Sequence, residues 1–306
     1  MGKLNDYEIR QRQSLPLEQK IILSQQRIME WYDFYEGDVY VSFSGGKDSS
    51  VLLDIVRGVR PDVPAVFVDT GLEYPENRDH VKTISNLEII KPNMPFPKVI
   101  EKWGYPVVSK EQSQFIYEYR NTNSEKLRDI RLNGNKWGRG KISKKWLYLL
   151  DAPFKISDKC CNELKKKPFY KYEKRTGRKG FIGVMAEESS KRVQDYGRFG
   201  CNAFDCKRPI SRPMGFWTEQ DVLRYIKELK LPYSALYGDI VEDKSGVLHT
   251  TGVARSGCVY CLFGVHIEQE PNRIQCLKQT HPKLHNYCIG KLGLKEVLEF
   301  IDIPYE

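Results

Sequence analysis

From residue 17 to residue 92 the apolar pattern alternates between helical and strand periods, and the first strand runs directly into a glycine turn. Apolar side chains at helical spacing predict a helix over Leu17–Phe34. DVYVSFS then supplies a β-branched and aromatic strand ending at Ser44, and Asp48–Val59 reads as the helix that follows. PAVFVD (Pro64–Asp69) predicts a second, buried strand, Glu73–Ser85 a second helix, and LEIIKP from Leu87 a third strand. GFIGVM (Gly180–Met185) resumes the sheet. Strands that alternate with helices need crossover connections, which set neighbouring strands parallel and cover both faces of the sheet. The expected class is α/β with a parallel sheet.

Elsewhere, Ser109–Arg120 predicts a helix and RLNGNKWGRGK, from Arg131, a loop. Thr218 with Asp221 predicts a capping box opening a helix through Leu229, and Leu294–Ile301 the last helix. No repeat or low-complexity linker marks a boundary. We read an α/β domain over residues 1–237, with an insertion at about 120–179, and a C-terminal segment over 238–306. With 306 residues, 40% hydrophobic and 29% charged, the chain has material for a sizeable core. No apolar run nears the roughly 20 residues of a spanning helix. The start, MGKLNDYEIRQRQ, lacks the apolar core of a signal peptide. A cytoplasmic protein with no membrane partner is expected, and there eight cysteines point to metal binding or catalysis rather than to disulfides.

Charge is unevenly spread. Arg120–Lys179 holds 19 basic and 6 acidic residues, a net +13, which leaves −4 on the rest of the chain. The same stretch carries Trp137, Trp146, Tyr148, Tyr170 and Tyr172. Cations neutralise phosphates and aromatic faces stack on unpaired bases, so a nucleic acid is one expected partner; a solvated insertion is the other reading.

SFSGGKDSS (Ser42–Ser50) lies where a strand ends and a helix begins, which is where backbone amides and the helix dipole make an anion site. Ser42 and Phe43 lead into it. Gly45 and Gly46 let the backbone approach phosphate oxygens and take positive φ. The amides of Lys47, Asp48 and Ser49, the Ser44 and Ser49 hydroxyls and the Lys47 ammonium supply donors. The spacing is not that of a Walker A loop.

SGGKDS is similar to the pyrophosphate loop of the adenine nucleotide α-hydrolase superfamily, whose members cleave ATP between the α and β phosphates. DTGLEYPE (Asp69–Glu76) resembles the DTGLxFPET signature of its phosphoadenosine phosphosulfate (PAPS) reductase branch. GVMAEESSKR (Gly183–Arg192) and the stretch from Arg208 to Tyr237, with WTEQDVLRYIKELKLPYSALY, resemble later segments of that branch. The resemblance implies a Rossmann-like sheet and a nucleotide held by Ser44, Gly45, Gly46, Asp48 and Ser49. It further implies that Asp69, Thr70 and Gly71 border the nucleotide and that Arg192 faces an anionic group. Lys47, Asp48 and Ser49 are the expected catalytic residues.

Cys160 and Cys161 are adjacent, and Cys258 and Cys261 form C-x-x-C in SGCVYCLFG. Four thiolates brought together suit either zinc or a [4Fe–4S] cluster, and spacing alone does not choose. KCCNELKKKPF also resembles the CC-x-x-x-K-x-x-P segment of assimilatory adenylyl-sulfate reductases, whose CC and CxxC pairs bind a [4Fe–4S] cluster, and this favours the cluster. Lys165, Lys166 and Lys167 would offset its charge or bind an anion. Cys201, Cys206, Cys276 and Cys288 read as small hydrophobes, with a sulfur-relay role for one as the alternative, and His266, His281 and His285 as packing or surface residues.

Reductases of that branch use a cysteine in a C-terminal E-C-G-[IL]-H motif and carry a degenerate loop. Here no cysteine follows Cys288 and the loop is intact as SGGKDS. The sequence reading therefore puts first an iron–sulfur enzyme that splits ATP, with Mg²⁺, to AMP and pyrophosphate. It would adenylylate an acceptor for thiolation, with tRNA or DNA as the expected acceptor and a separate protein as sulfur or electron donor; the reading allows a homodimer. A phosphoadenosine or adenylyl-sulfate reductase is the second reading, and a non-catalytic nucleotide- or nucleic-acid-binding module the third.

Overall fold

The computed structural model describes residues 4–306. Residues 1–3, part of the segment read as lacking a leader, lie outside the described residues. The chain forms two compact units. The first takes in the chain through Asp69, Glu73–Lys91 and Phe169–Gly257; the second is built from Thr70–Leu72, Pro92–Pro168 and Cys258–Glu306.

The first unit is organised on a six-stranded sheet in the order Leu87–Ile90, Ala65–Val68, Val39–Phe43, Lys179–Ile182, Ile210–Ser211, Asn202–Ala203. All pairings are parallel except the last. Val39, Val41, Phe43, Ala65, Val66 and Phe181 are buried, as β-branched and aromatic strands covered on both faces must be. Val39–Phe43 pairs with Ala65–Val68 on one side, Val41 opposite Ala65, and with Lys179–Ile182 on the other, Val41 opposite Phe181. The chain thus leaves the central strand toward both sides of the sheet, and the crevice at that strand's carboxyl end is where open α/β sheets bind ligands.

The expected strands and helices of this unit fall within a few residues of their sequence bounds. The helix Lys47–Val59 follows the glycine turn, Leu17–Phe34 packs on it, and the helix expected over Glu73–Ser85 is confined to Pro75–Lys82. Pro75 opens that helix at its first turn and the Thr83 hydroxyl, bonding the His80 carbonyl, closes it. The strand expected through Met185 stops at Ile182, because the Val184 amide turns back onto the Ile182 carbonyl. The Thr218–Asp221 capping box opens Glu219–Leu229. Asp221 also takes the Lys20 ammonium at 2.5 Å, a buried ion pair to which the Gln13 carbonyl adds a bond of 2.6 Å.

The second unit carries a short parallel pair, Val107–Val108 with Leu262–Phe263, among the helices Phe96–Trp103, Lys110–Asn121, Glu125–Asn133, Arg273–Thr280 and Leu294–Phe300. The loop expected from Arg131 begins instead at Gly134, whose φ of +93° ends the helix Glu125–Asn133. The units divide the chain differently from the boundaries drawn on sequence. Residues 238–257 stay with the first unit, where Gln220 bonds both the carbonyl and the amide of Leu248. The basic insertion is split at Pro168, its first part lying in the same unit as Cys258–Glu306. Among the described residues no helix is long and apolar enough to cross a membrane.

Candidate active site

In the first unit the turn after Val39–Phe43 delivers the amides of Gly46 and Lys47 to the start of a helix thirteen residues long. Gly45 has φ +76°; Gly46, at φ −82°, is extended, so the expectation of positive φ holds for Gly45 alone. Gly46 is constrained by space instead: a Cβ there would stand 3.1 Å from both the Ser256 and Tyr237 hydroxyls, which would have to give by a few tenths of an ångström. Ser49 shapes the loop from inside. Its hydroxyl donates to the Gly46 carbonyl at 2.8 Å, accepts from the Ser44 amide at 3.2 Å and lies 3.0 Å from the Ser44 hydroxyl.

Ser44, Gly46, Lys47 and Asp48 line a cavity of about 230 Å³ with Met185, Glu188, Arg192, Glu219, Tyr237, Arg255 and Ser256. That volume suits phosphate-sized groups rather than a whole nucleotide. The Lys47 ammonium, almost fully buried, bonds the Glu219 carboxylate at 3.1 Å and the Ala254 carbonyl at 3.2 Å and stands 3.5 Å from Asp48. Burial opposes its charge, but Asp48 and Glu219 outweigh burial and hold its pKa above the ordinary value, so it stays an ammonium. Burial raises the Asp48 pKa against the pull of Lys47, and one Asp48 oxygen, Oδ1, is buried with no hydrogen-bond partner. Tyr237 accepts from the Lys47 amide at 3.2 Å and donates to Ser256 at 2.7 Å.

Arg192 does line this cavity, but its guanidinium is ion-paired with Glu188. Burial and the like charge of Arg255 lower its pKa. Glu187 points elsewhere and caps the Glu219 amide, so these adjacent carboxylates are not an acid/base pair. Ser42 is an inner strand residue, paired with Val66 and Ile182, and the Phe43 ring is buried 5.9 Å from His80; neither lines the cavity. Asp69 pairs with Arg78 in the first unit, whereas Thr70 and Gly71 belong to the second, where the Thr70 hydroxyl accepts from the Leu72 amide. Sequence reasoning missed Glu219, Tyr237, Arg255 and Ser256. Tyr237 closes the PYSALY segment and Arg255-Ser256 lies one residue before the C-x-x-C, so position alone marked both.

In the second unit Cys160, Cys161, Cys258 and Cys261 line one small cavity walled by Leu72, Phe96, Pro106, Leu164 and Tyr260. Cys160 and Cys161 open a helix that widens into a π turn over Asn162–Lys166, a distortion common at functional sites. Cys258 and Cys261 are folded together by a bond of 3.1 Å from the Cys261 amide to the Cys258 carbonyl. A hydrogen bond from Cys160, with Lys110, Lys165 and Lys166 nearby, brings the Cys161 thiol down to about 6; the same bond, with burial, pushes Cys160 up. Burial pushes Cys261 up to about 11. The hydrogen bond between Cys160 and Cys161 favours the thiolate at Cys161 and the thiol at Cys160. The four thiols share the cavity without converging on a point: among the described residues no three His, Cys, Asp or Glu side chains gather closely enough to hold one metal ion. Cys201 and Cys288 are buried thiols pushed up to about 11 and about 12, while Cys206 and Cys276 are partly exposed.

Residues 38–97, the loop and the second-strand signature, match the phosphoadenosine phosphosulfate reductase domain. The adenosine 5'-phosphosulfate reductase of Geobacillus kaustophilus is 26% identical over 238 residues, 76% of this chain and 77% of its own. That of Anoxybacillus flavithermus is 23% identical over 244 residues, 79% of this chain and 81% of its own. Among solved structures, the PAPS reductase of Candida auris in a phosphate complex covers 80% of this chain and 98% of its own at 17% identity, with a TM-score of 0.41. The segment that holds the glycine loop and the second-strand signature thus matches the phosphoadenosine phosphosulfate reductase domain, and over about three quarters of its length the chain is similar to adenosine 5'-phosphosulfate reductases.

Proposed function

We propose that this chain holds adenylyl sulfate at the Ser44–Ser49 loop and releases sulfite from it. One observation carries the reading: the matching adenosine 5'-phosphosulfate reductases align over about three quarters of the chain, not over the loop alone. This reverses the order drawn from sequence, which put ATP cleavage and thiolation first. In such a reaction a thiolate attacks the substrate's sulfur, the new S–S bond forming as the S–O bond to the phosphate breaks, and AMP leaves with that electron pair. A second thiol displaces sulfite and leaves a disulfide, so a dithiol supplies both electrons. The positive end of the helix Lys47–Val59, the buried Lys47 ammonium and Arg255, all at this cavity, would take up the charge that grows on the departing phosphate.

Cys160, Cys161, Cys258 and Cys261 would hold the [4Fe–4S] group, and they fit it in that all four thiols line one cavity whose other walls are apolar but for Lys165. Bound there, such a group supplies an electrostatic or one-electron centre. Of the remaining cysteines, Cys206 and Cys276 are accessible enough for a thiol role. The test is Lys47→Met in an anaerobic assay with labelled adenylyl sulfate and a dithiol. Sulfite release should fall by at least the ~100-fold typical of losing one charge-stabilising donor, while Cys276→Ser or Cys206→Ser reports which thiol, if either, is used. Unchanged turnover in Lys47→Met defeats the assignment.

A second reading, ATP cleavage between the α and β phosphates, is favoured by one feature. Asp48 Oδ1, buried beside the cavity with no hydrogen bond and only the Lys47 ammonium 3.5 Å away, suits a divalent cation such as Mg²⁺, which would supply charge neutralisation for a leaving pyrophosphate.

A further inference from the structure

The residues between the helix Glu125–Asn133 and the turn Lys144–Asp151 form a closed, braced loop whose exposed large apolar side chain is an indole. Trp137 is 69% exposed. The Asn135 side-chain oxygen accepts from the amides of both Trp137 and Arg139, each at 3.0 Å. The main chain of Asn135 bonds the Arg139 carbonyl at 2.8 Å and the Gly138 amide at 2.7 Å. The base of the loop is pinned by the Arg131 guanidinium, which donates to the Gly140 carbonyl at 2.6 Å and pairs with Glu118. Gly134, Gly138 and Gly140, all at positive φ, make so tight a closure possible. A large apolar ring held outward on a fixed backbone loses little entropy when something lands on it.

The surroundings define what lands. The Lys136 ammonium stands over one face of the Trp137 ring, 4.3 Å from its centre, which leaves the other face for a base, and Arg139, Lys141, Lys144 and Lys145 are all exposed. Cations set beside an exposed aromatic face match a phosphate backbone with an unpaired base. A duplex keeps its base faces stacked and has nothing to offer the indole; an acidic protein surface would answer the cations and leave the ring unused. We infer that this loop is a landing site for single-stranded nucleic acid, with Trp137 as the stacking platform. The inference stands apart from the reaction proposed above, since every residue it uses lies in the second unit and none lines the Ser44–Ser49 cavity.

Fluorescence anisotropy of the full chain, purified anaerobically, with labelled oligothymidylate, oligouridylate and a DNA duplex tests it. Single strands should bind more tightly than the duplex, and affinity should fall steeply from about 50 to about 200 mM salt. Trp137→Ala should weaken single-strand binding by between about fivefold and about a hundredfold, the range for one stacked base, and Trp137→Phe should restore much of it. Arg139→Gln with Lys144→Gln and Lys145→Gln should lower the slope of log affinity against log salt by about 2, at ~0.7 for each single-strand phosphate contact. No single-strand binding at about 50 mM salt, equal affinity for duplex, or wild-type affinity in Trp137→Ala would each overturn the inference.

Discussion

Two adjacent glycines should fail in opposite ways when each is replaced by alanine. At Gly45, φ +76° puts an alanine in the left-handed region, which costs about 1–2 kcal/mol. Its Cβ would also meet a Val81 methyl at 2.9 Å and the Asn77 carbonyl at 3.0 Å. Both neighbours sit on the helix Pro75–Lys82, and a backbone carbonyl cannot swing aside, so overpacking adds about 1–3 kcal/mol. Gly45→Ala should therefore lose about 2–5 kcal/mol of stability. At Gly46, φ −82° is open to any residue, and the three closest atoms to a Cβ are the hydroxyls of Ser256, Tyr237 and Ser44 at 3.1–3.3 Å, which can yield a few tenths of an ångström. Gly46→Ala should cost less than about 1 kcal/mol. It would, however, put a methyl group at the wall of a cavity of only about 230 Å³, where a phosphate must approach the start of the helix Lys47–Val59. Urea unfolding followed by circular dichroism reads the first effect and calorimetric nucleotide titration the second. If Gly46→Ala binds nucleotide as the wild type does, or if both variants lose the same stability, the loop geometry argued here is wrong.

Anaerobic protein should contain about four iron and four sulfide per chain, and Cys161→Ser should bleach its visible absorbance; stoichiometric zinc with no visible band would refute the cluster. Lys20→Met should destabilise the protein by about 3–5 kcal/mol, because Asp221 would be left buried without its partner; a double variant Lys20→Met with Asp221→Leu should recover part of that loss, and equal instability of the two would contradict the ion-pair argument. His80 is buried against Ser50, its Nε2 2.9 Å from the hydroxyl, and burial lowers its pKa from 6.5. The unfolded chain then binds the proton first, so stability should fall as pH drops below about 6.5, and His80→Gln should flatten that slope; an unchanged slope in the variant would show that other groups set it.

Much of this architecture was legible because it rests on local patterns. The strand Val39–Phe43, the glycine turn and the helix Lys47–Val59 each announce themselves in period and composition, and their succession forces a parallel sheet with its ligand crevice at the turn. The four cysteines were found the same way, as two pairs, and the structure does bring them to one cavity. What stayed hidden depends on contacts distant in sequence. Glu219 reaches Lys47 from a helix more than 170 residues on, and Tyr237 and Ser256 close over the loop through hydroxyls that no spacing rule connects to it. Positive φ at both glycines was the wrong expectation for a related reason: one residue makes the turn, and the other is kept small by groups arriving from elsewhere. The two units do not part at residue 237, because a hairpin, Ile240–Glu242 with Leu248–Thr250, is tied to Gln220, and a pairing of that kind leaves no compositional trace.

The reaction itself is open to a single assay of products. Anaerobic protein given sulfur-labelled adenylyl sulfate and a reduced dithiol, and in parallel ATP with Mg²⁺, should release sulfite and AMP from the first and no pyrophosphate from the second, with the sulfite lost in Lys47→Met. Pyrophosphate from ATP without sulfite from adenylyl sulfate would contradict the reductase reading and put ATP cleavage in its place.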